Sequence, residues 1–91
     1  MPRREWRICL GDMIAAAERA LGYVEGLTPE QFAADRRTIH AVSFAIVVIG
    51  EAAKAVQDAV SSRAPDVPWS DIRGMRNKVA HEYFGVDPKV L

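Results

Sequence analysis

The sequence predicts an all-α protein, an antiparallel up-and-down helical bundle formed by a single domain over residues 1–91. Three observations predict it. Apolar residues recur at intervals of three and four along two long segments, as in amphipathic helices. Capping residues and glycines mark where the segments begin and end. No stretch alternates apolar and polar residues as a strand does.

The first helix is expected to run from about Arg4 to Val24 and to end before Gly26, because glycine commonly follows a helix C-terminus. Its apolar residues share one stripe: Trp6, Leu10, Met13, Ile14, Ala17, Leu21 and Val24. A short second helix follows, in which Thr28 and Gln31 form a capping box around Pro29. Phe32 is expected to anchor this helix to the core.

The third helix is predicted over residues 36–60, and it is apolar on two faces. One stripe consists of Ile39, Val42, Ile46, Ile49, Ala53, Val56 and Val60, and a second face carries Phe44, Val47 and Val48. A helix with two apolar faces needs cover on both sides. It is therefore either the central core helix or a helix that also contacts a second subunit. The small residues Gly50, Ala52 and Ala53 would let a neighbouring helix approach closely.

Residues 61–68 have the proline and serine content of a loop, and Pro68 to Asp71 open a fourth helix with Trp69 and Ile72 facing the core. This helix is expected to end near residues 81–83, before Gly85. Residues 87–91 have the pattern of the start of a further helix.

Composition narrows the classes of function. The 91 residues are 49% hydrophobic and 26% charged, which is typical of a globular chain. A chain of about this size buries only ~60–65% of its unfolded surface, so a homodimer is expected. Because the formal net charge is zero, nucleic-acid binding would need a local basic patch.

The cysteine and hydropathy patterns predict a cytoplasmic protein. Cys9 is the single cysteine, so an internal disulfide is excluded, and no Cys/His cluster indicates a metal site. The run from Ala41 to Gly50 is far shorter than the ~20 residues that span a bilayer. We therefore expect no membrane association, metal or cofactor.

The residues best suited to chemistry lie in one run near the end of the chain, Arg76-Asn77-Lys78-Val79-Ala80-His81-Glu82-Tyr83. Arginine matches phosphate oxygens with a planar, permanently charged fork. Histidine transfers protons near neutral pH. Together they could act on a phosphodiester without a metal, with Asn77 beside them as a third candidate residue and with Arg73 and Lys78 adding positive charge for an anionic ligand.

Helical geometry limits how Arg76 and His81 can cooperate. Five residues at about 100° each separate their directions by about 140°, so one straight helix cannot aim both at one phosphate. Asn77 and His81 share a face, with Arg73 above them. Either the helix loosens before His81, or two copies of the run meet across a dimer.

The run resembles the Arg-polar-x3-His motif of the HEPN superfamily, and its extension to Tyr83 is similar to the HepT-like toxins of MNT–HEPN toxin–antitoxin modules. The segments 25–32, 50–54, 68–77 and 83–87 are similar to other blocks of that family in the same order. The likeness covers nearly the whole chain, although family members usually continue for another helix beyond Leu91.

The resemblance implies a dimerising α-helical bundle that is a metal-independent endoribonuclease with its cleft at the dimer interface. Arg76 and His81 would be catalytic, with Asn77 at the polar position. Tyr83 corresponds to the tyrosine that a partner nucleotidyltransferase antitoxin AMPylates. A non-catalytic HEPN adaptor that binds RNA or nucleotide and a nucleotidyltransferase is the alternative. Glu51 either pairs with an arginine or holds the cleft in shape.

Overall fold

The structure, a computed structural model, describes residues 5–60 and 62–84, with the side chains of Tyr83 and Phe84 excepted. It contains four helices in the described part: α1 (Trp6–Val24), α2 (Pro29–Ala34), α3 (Arg36–Val60) and α4 (Trp69–Phe84). The all-α fold, consistent with a HEPN-like bundle, is confirmed. The expected first residue of α1, Arg4, and the expected further helix at 87–91 lie outside the described residues.

The capping residues and the glycine that the sequence predicts at the helix ends are observed there. Thr28 and Gln31 form the capping box of α2, with Oγ1 of Thr28 accepting from the Gln31 amide at 3.1 Å and Oε1 of Gln31 accepting from the Thr28 amide at 2.9 Å. Gly26 follows α1 with a φ of 79°, a backbone conformation that favours glycine. The N-terminus of α1 is capped by Glu5, whose carboxylate accepts from the Arg7 amide.

Asp35 joins α2 to α3 with almost no intervening loop. Its carboxylate accepts hydrogen bonds from the hydroxyl of Thr38 at 2.7 Å and from the Thr38 amide at 3.1 Å. These two bonds lower the pKa of Asp35 below its usual value, and the bond from the Thr38 hydroxyl has the larger effect. The carboxylate therefore satisfies an amide that the first turn of α3 leaves unpaired.

The helix α3 is the centre of the bundle. It packs against α1 along one side and α4 along another, whereas α1 and α4 contact each other at most marginally. Its buried residues are small or branched: Ser43, Ala45, Gly50, Ala53 and Val56. The expectation of a central core helix is therefore met, and small side chains at the contacts let both neighbours lie close.

The burial of α1 differs from the expected stripe. The residues buried on α1 are Cys9 and Ala16, whereas Leu10, Ile14 and Leu21 are 37%, 52% and 71% exposed. The spacing correctly identifies an apolar stripe, but α1 is rotated so that its small residues meet α3. Close approach to a crowded central helix favours Ala and Cys at the contact over longer side chains.

The side chains between α3 and α4 form an open groove on one face of the bundle. It is lined by Ile46, Ile49, Ile72 and Met75, and it continues past Phe32 of α2. Phe32 is half-buried at its end, so α2 anchors there as expected. We call this apolar channel the open groove.

The helix α4 is regular through Phe84. Pro68 precedes its first residue, and Trp69 donates its indole N–H to the carbonyl of Ala64 at 3.3 Å, which ties the loop to the helix. Of the two alternatives for bringing Arg76 and His81 together, the loosening of the helix before His81 is not observed, because the α-helical pattern includes His81 and the three residues after it. A loosened helix end therefore does not bring Arg76 and His81 of one chain to the same phosphate.

Among the described helices, α3 alone is long and apolar enough to cross a membrane by length and composition. This is weak evidence, because the core helix of a soluble bundle passes the same test. The helix already packs against α1 and α4, and the absence of membrane association stays a prediction.

Candidate active site

Arg76 is the buried residue around which the site is built. Its side chain is 6% exposed, and it lies on the face of α4 that packs against α3. A Cβ built on Gly50 would overlap the Cβ and Cγ atoms of Arg76. The arginine stem therefore lies directly on the backbone of α3, and only glycine leaves room for it there.

Glu51 follows that glycine and meets the other end of the arginine. Its Oε1 lies 3.6 Å from Nη1 of Arg76, and its Oε2 accepts from Nζ of Lys54 at 3.1 Å. The Glu51 side chain is 47% exposed, so its charge is partly screened by water. Of the two roles left open by the sequence, pairing with an arginine is the one observed.

The buried polar atoms of Arg76 have hydrogen-bonding capacity to spare. Its Nε and Nη1 atoms are buried and make no hydrogen bond, and neither does Oδ1 of Asn77. A 3.6 Å separation is too long for a good hydrogen bond to Glu51. Unsatisfied buried polar atoms are uncommon in proteins, so each calls for an explanation, and a catalytic role is one.

The other predicted residues divide between the two flanks of α4. At about 100° per residue, Arg73, Asn77 and His81 fall on the flank opposite the open groove. Arg73 and His81 are exposed, and Asn77 is half-buried. On α3, Glu51 also lies on the side opposite the open groove. Glu51 and the flank of α4 that carries Asn77 and His81 are therefore on the same side of Arg76.

Lys78 is on the other flank. It lines the open groove with Met75, Val79 and Glu82. The structure therefore brings Arg73 together with Asn77 and His81 but separates Lys78 from them. The sequence groups the two cations because they are close along the chain, whereas the helix turns them to opposite sides. Tyr83 lies in the last turn of α4, two residues after His81.

The side of α3 that carries Glu51 is apolar beyond it. Phe44, Val47, Val48 and Ala52 line a depression there with Cys9 and Asp12 of α1. Phe44 is 64% exposed. We call the surface formed by these residues together with Glu51, Asn77 and His81 the cleft face.

The sequence identifies the chemical groups of the site but not the contact with α3 that holds Arg76 in place. Gly50 was expected to allow close helix packing in general, and nothing in the spacing pairs it with Arg76. The signal for this contact is that Gly50 ends the apolar run that begins at Ala41 and that the acidic Glu51 follows it directly. Within residues 5–60 and 62–84, no three His, Cys, Asp or Glu side chains are grouped so as to hold a metal ion.

Comparison with known proteins decides the family. The profile described as Ribonuclease HepT-like matches residues 13–91. The chain belongs to the ribonuclease HepT-like family. This family is part of the HEPN superfamily, and the resemblance carried by the motif blocks is confirmed.

Individual relatives agree with this assignment. A protein of Thermococcus cleftensis named probable ribonuclease HepT is 35% identical over 98% of this chain and 81% of its own length. A protein of Methanocaldococcus jannaschii named as a putative RNase is 30% identical over 100% of this chain and 75% of its own length. No solved structure matches significantly. The family assignment supports ribonuclease activity at the level of the family.

Replacing Gly50 with alanine should destabilise this HepT-like protein where Arg76 packs on α3. The added Cβ would overlap Arg76, so α4 must shift, at a cost of about 1–3 kcal/mol of unfolding free energy. Thermal unfolding should show a lowered Tm. The matched control is Gly11→Ala, since a Cβ at Gly11 meets nothing within 4 Å and alanine favours the helix. An unchanged Tm for Gly50→Ala would contradict the close contact.

Proposed function

We propose that this protein is a metal-independent endoribonuclease whose active site forms when two copies pair through the cleft face. The single observation that carries the proposal is the placement of Arg76 and His81 on different sides of one regular helix, the arginine buried and the histidine exposed. One copy therefore holds the arginine inside its own bundle while the histidine faces outward, and it does not aim both at one phosphate. Membership in a family of ribonucleases supplies the reaction class.

The dimer is supported by the composition of the cleft face. Phe44, at 64% exposure, forms a contiguous apolar patch with half-buried Val47 and Val48, and such patches mark surfaces that another molecule covers. A twofold axis through this face would repeat each residue on both sides of the interface. Two His81 side chains and two Arg76 side chains would then line one cleft.

The chemistry follows from RNA's own nucleophile. The 2′-hydroxyl oxygen attacks the adjacent phosphorus and loses its proton to one His81. The bond from phosphorus to the 5′-oxygen breaks, and that oxygen takes a proton from the second histidine. The products are a 2′,3′-cyclic phosphate and a 5′-hydroxyl, and acid–base help of this kind contributes roughly 10²–10⁴-fold.

Arg76 stabilises the charge that grows on the phosphate oxygens. A guanidinium held in a buried, low-dielectric position acts more strongly on that charge than one in water. Asn77 can orient His81, since the two lie one turn apart on the same flank. Arg73, exposed above them, is placed to bind the RNA backbone, whereas Lys78 would have to act from the groove side.

We also propose that the protein is the toxin of a type VII-like toxin–antitoxin pair in the cytoplasm. Its partner would be an MNT-type nucleotidyltransferase antitoxin that transfers AMP from ATP to the hydroxyl of Tyr83, breaking the bond between the α- and β-phosphates and releasing pyrophosphate. The family assignment and the presence of a tyrosine in the last turn of α4, the helix that carries Arg76 and His81, support this. The added nucleotide would bring bulk and negative charge to an anion-binding cleft.

Purified protein should cleave RNA in the presence of EDTA, and His81→Ala should lower the rate by at least about 10²-fold. Because His81 is exposed, its removal should leave the Tm unchanged. Gel analysis of labelled RNA measures both the rate and the cyclic phosphate end. His40→Gln, at the other histidine of the chain, is the control and should retain activity. Equal cleavage by His81→Ala would favour the non-catalytic adaptor.

Phe44→Lys should convert the dimer to a monomer at micromolar concentration. A lysine in the apolar centre of the interface would lose its water, and losses of 2 kcal/mol or more, about 30-fold in affinity, are typical at such positions. Light scattering measures the mass. Leu21→Lys is the matched control, because Leu21 is 71% exposed on the α1 stripe, away from the cleft face. A monomeric parent protein would overturn the composite site.

Co-expression with an MNT-type nucleotidyltransferase should add the mass of AMP to the protein and inhibit RNA cleavage. Tyr83→Phe should remain unmodified because it lacks the accepting hydroxyl. Intact-mass spectrometry reads the addition, and Tyr23→Phe is the control at the other tyrosine. Addition to Tyr83→Phe at an unchanged level would place the modification elsewhere.

A further inference from the structure

We propose that Glu51 is a positioning residue for Arg76, and that together with Gly50 it forms a clamp that fixes the guanidinium to stabilise the charge that develops on the phosphate oxygens. This inference rests on the proposed ribonuclease function for its role in the reaction, but the clamp itself is a property of the contacts between α3 and α4.

The clamp acts at both ends of the arginine side chain. At the stem, Cβ and Cγ of Arg76 lie on the backbone of α3 at Gly50. At the tip, Nη1 lies 3.6 Å from Oε1 of Glu51. Arginine carries about 2 kcal/mol of rotamer entropy, so an unrestrained side chain would sample many positions. Two adjacent residues on one rigid helix remove most of that freedom before substrate arrives.

Lys54 sets the direction of the Glu51 carboxylate. Its Nζ donates to Oε2 at 3.1 Å from one turn further along α3, which leaves Oε1 for Arg76. Both partners of this pair are nearly half exposed, so the pair adds little to stability. Its effect is geometric: one oxygen is engaged on the exposed side and the other is kept near the buried cation.

The length of the Glu51–Arg76 contact indicates that Glu51 does not satisfy the hydrogen-bonding groups of the guanidinium. At 3.6 Å the carboxylate supplies charge compensation without a good hydrogen bond, and Nε and Nη1 remain without hydrogen-bond partners. A shorter, bidentate pair would satisfy the guanidinium and compete with phosphate. The loose pair instead holds the cation in place without satisfying it. Because Nε and Nη1 are shielded from solvent, a phosphate would meet the guanidinium at its remaining nitrogen, Nη2.

The test is Glu51→Gln, which removes the charge and keeps the shape. We expect kcat for RNA cleavage to fall about 10- to 100-fold, because a small misplacement of a catalytic group can have an effect of that size. KM should change little, since Arg76 acts on charge formed in the transition state. Glu18→Gln, an exposed carboxylate on α1, is the control and should match the parent protein.

A double-mutant cycle separates positioning from a general structural effect. In an Arg76→Lys background, Glu51→Gln should alter kcat less than about twofold, because lysine has no Nη1 for Glu51 to hold. Full additivity of the two losses would overturn the proposal. A rise in kcat for Glu51→Gln would also overturn it, since Glu51 would then be competing with phosphate.

A readout without RNA keeps the clamp testable if the protein cleaves nothing. The Nε–H signal of Arg76 in ¹⁵N NMR, assigned by its loss in Arg76→Lys, should be sharp and slow to exchange in the parent protein. It should broaden and exchange faster in Glu51→Gln. An unchanged signal would refute the clamp, whereas a changed signal in a protein without ribonuclease activity would refute only the proposed function.

Discussion

The contact between Arg76 and Gly50 is the constraint on which the rest of the site depends. It places a charged side chain inside a small bundle, at the junction of the central helix and the last described one. A buried cation without a counter-charge is strongly unfavourable, so the neighbouring Glu51 is needed nearby. With the arginine fixed in this way, the rotation of α4 is fixed as well. That rotation turns Asn77 and His81 to the cleft face and Lys78 to the open groove.

Much of the fold could be predicted because its signals are local. The caps at Thr28 and Gln31, the proline at the start of α2 and the bounds of α3 depend on residues within one or two turns of each other. The side of α1 that packs against α3 could not be predicted, because a periodic apolar stripe does not show which of its residues contact the neighbouring helix. Small residues at Cys9 and Ala16 fit against the crowded α3, and this preference arises only when the two helices are brought together.

The site divides in the same way. The residue types in the run from Arg76 to Tyr83 indicate phosphodiester chemistry, and the 140° between Arg76 and His81 follows from helix geometry alone. Whether α4 loosens before His81 could not be decided from the sequence, and the helix is regular through Phe84. The pairing of Glu51 with Arg76 depends on a contact between residues far apart in sequence, and no local pattern encodes such a contact.

The exposed Phe44 has a consequence for how such a nuclease would behave in a cell. In the proposed dimer, the amount of active enzyme grows with the square of protein concentration when the chain is scarce. Basal expression would then yield mostly separate, inactive halves, and a modest rise in synthesis would release a disproportionate burst of RNA cleavage. The apolar surface beside the active site would thus set a dose threshold, independently of any partner protein.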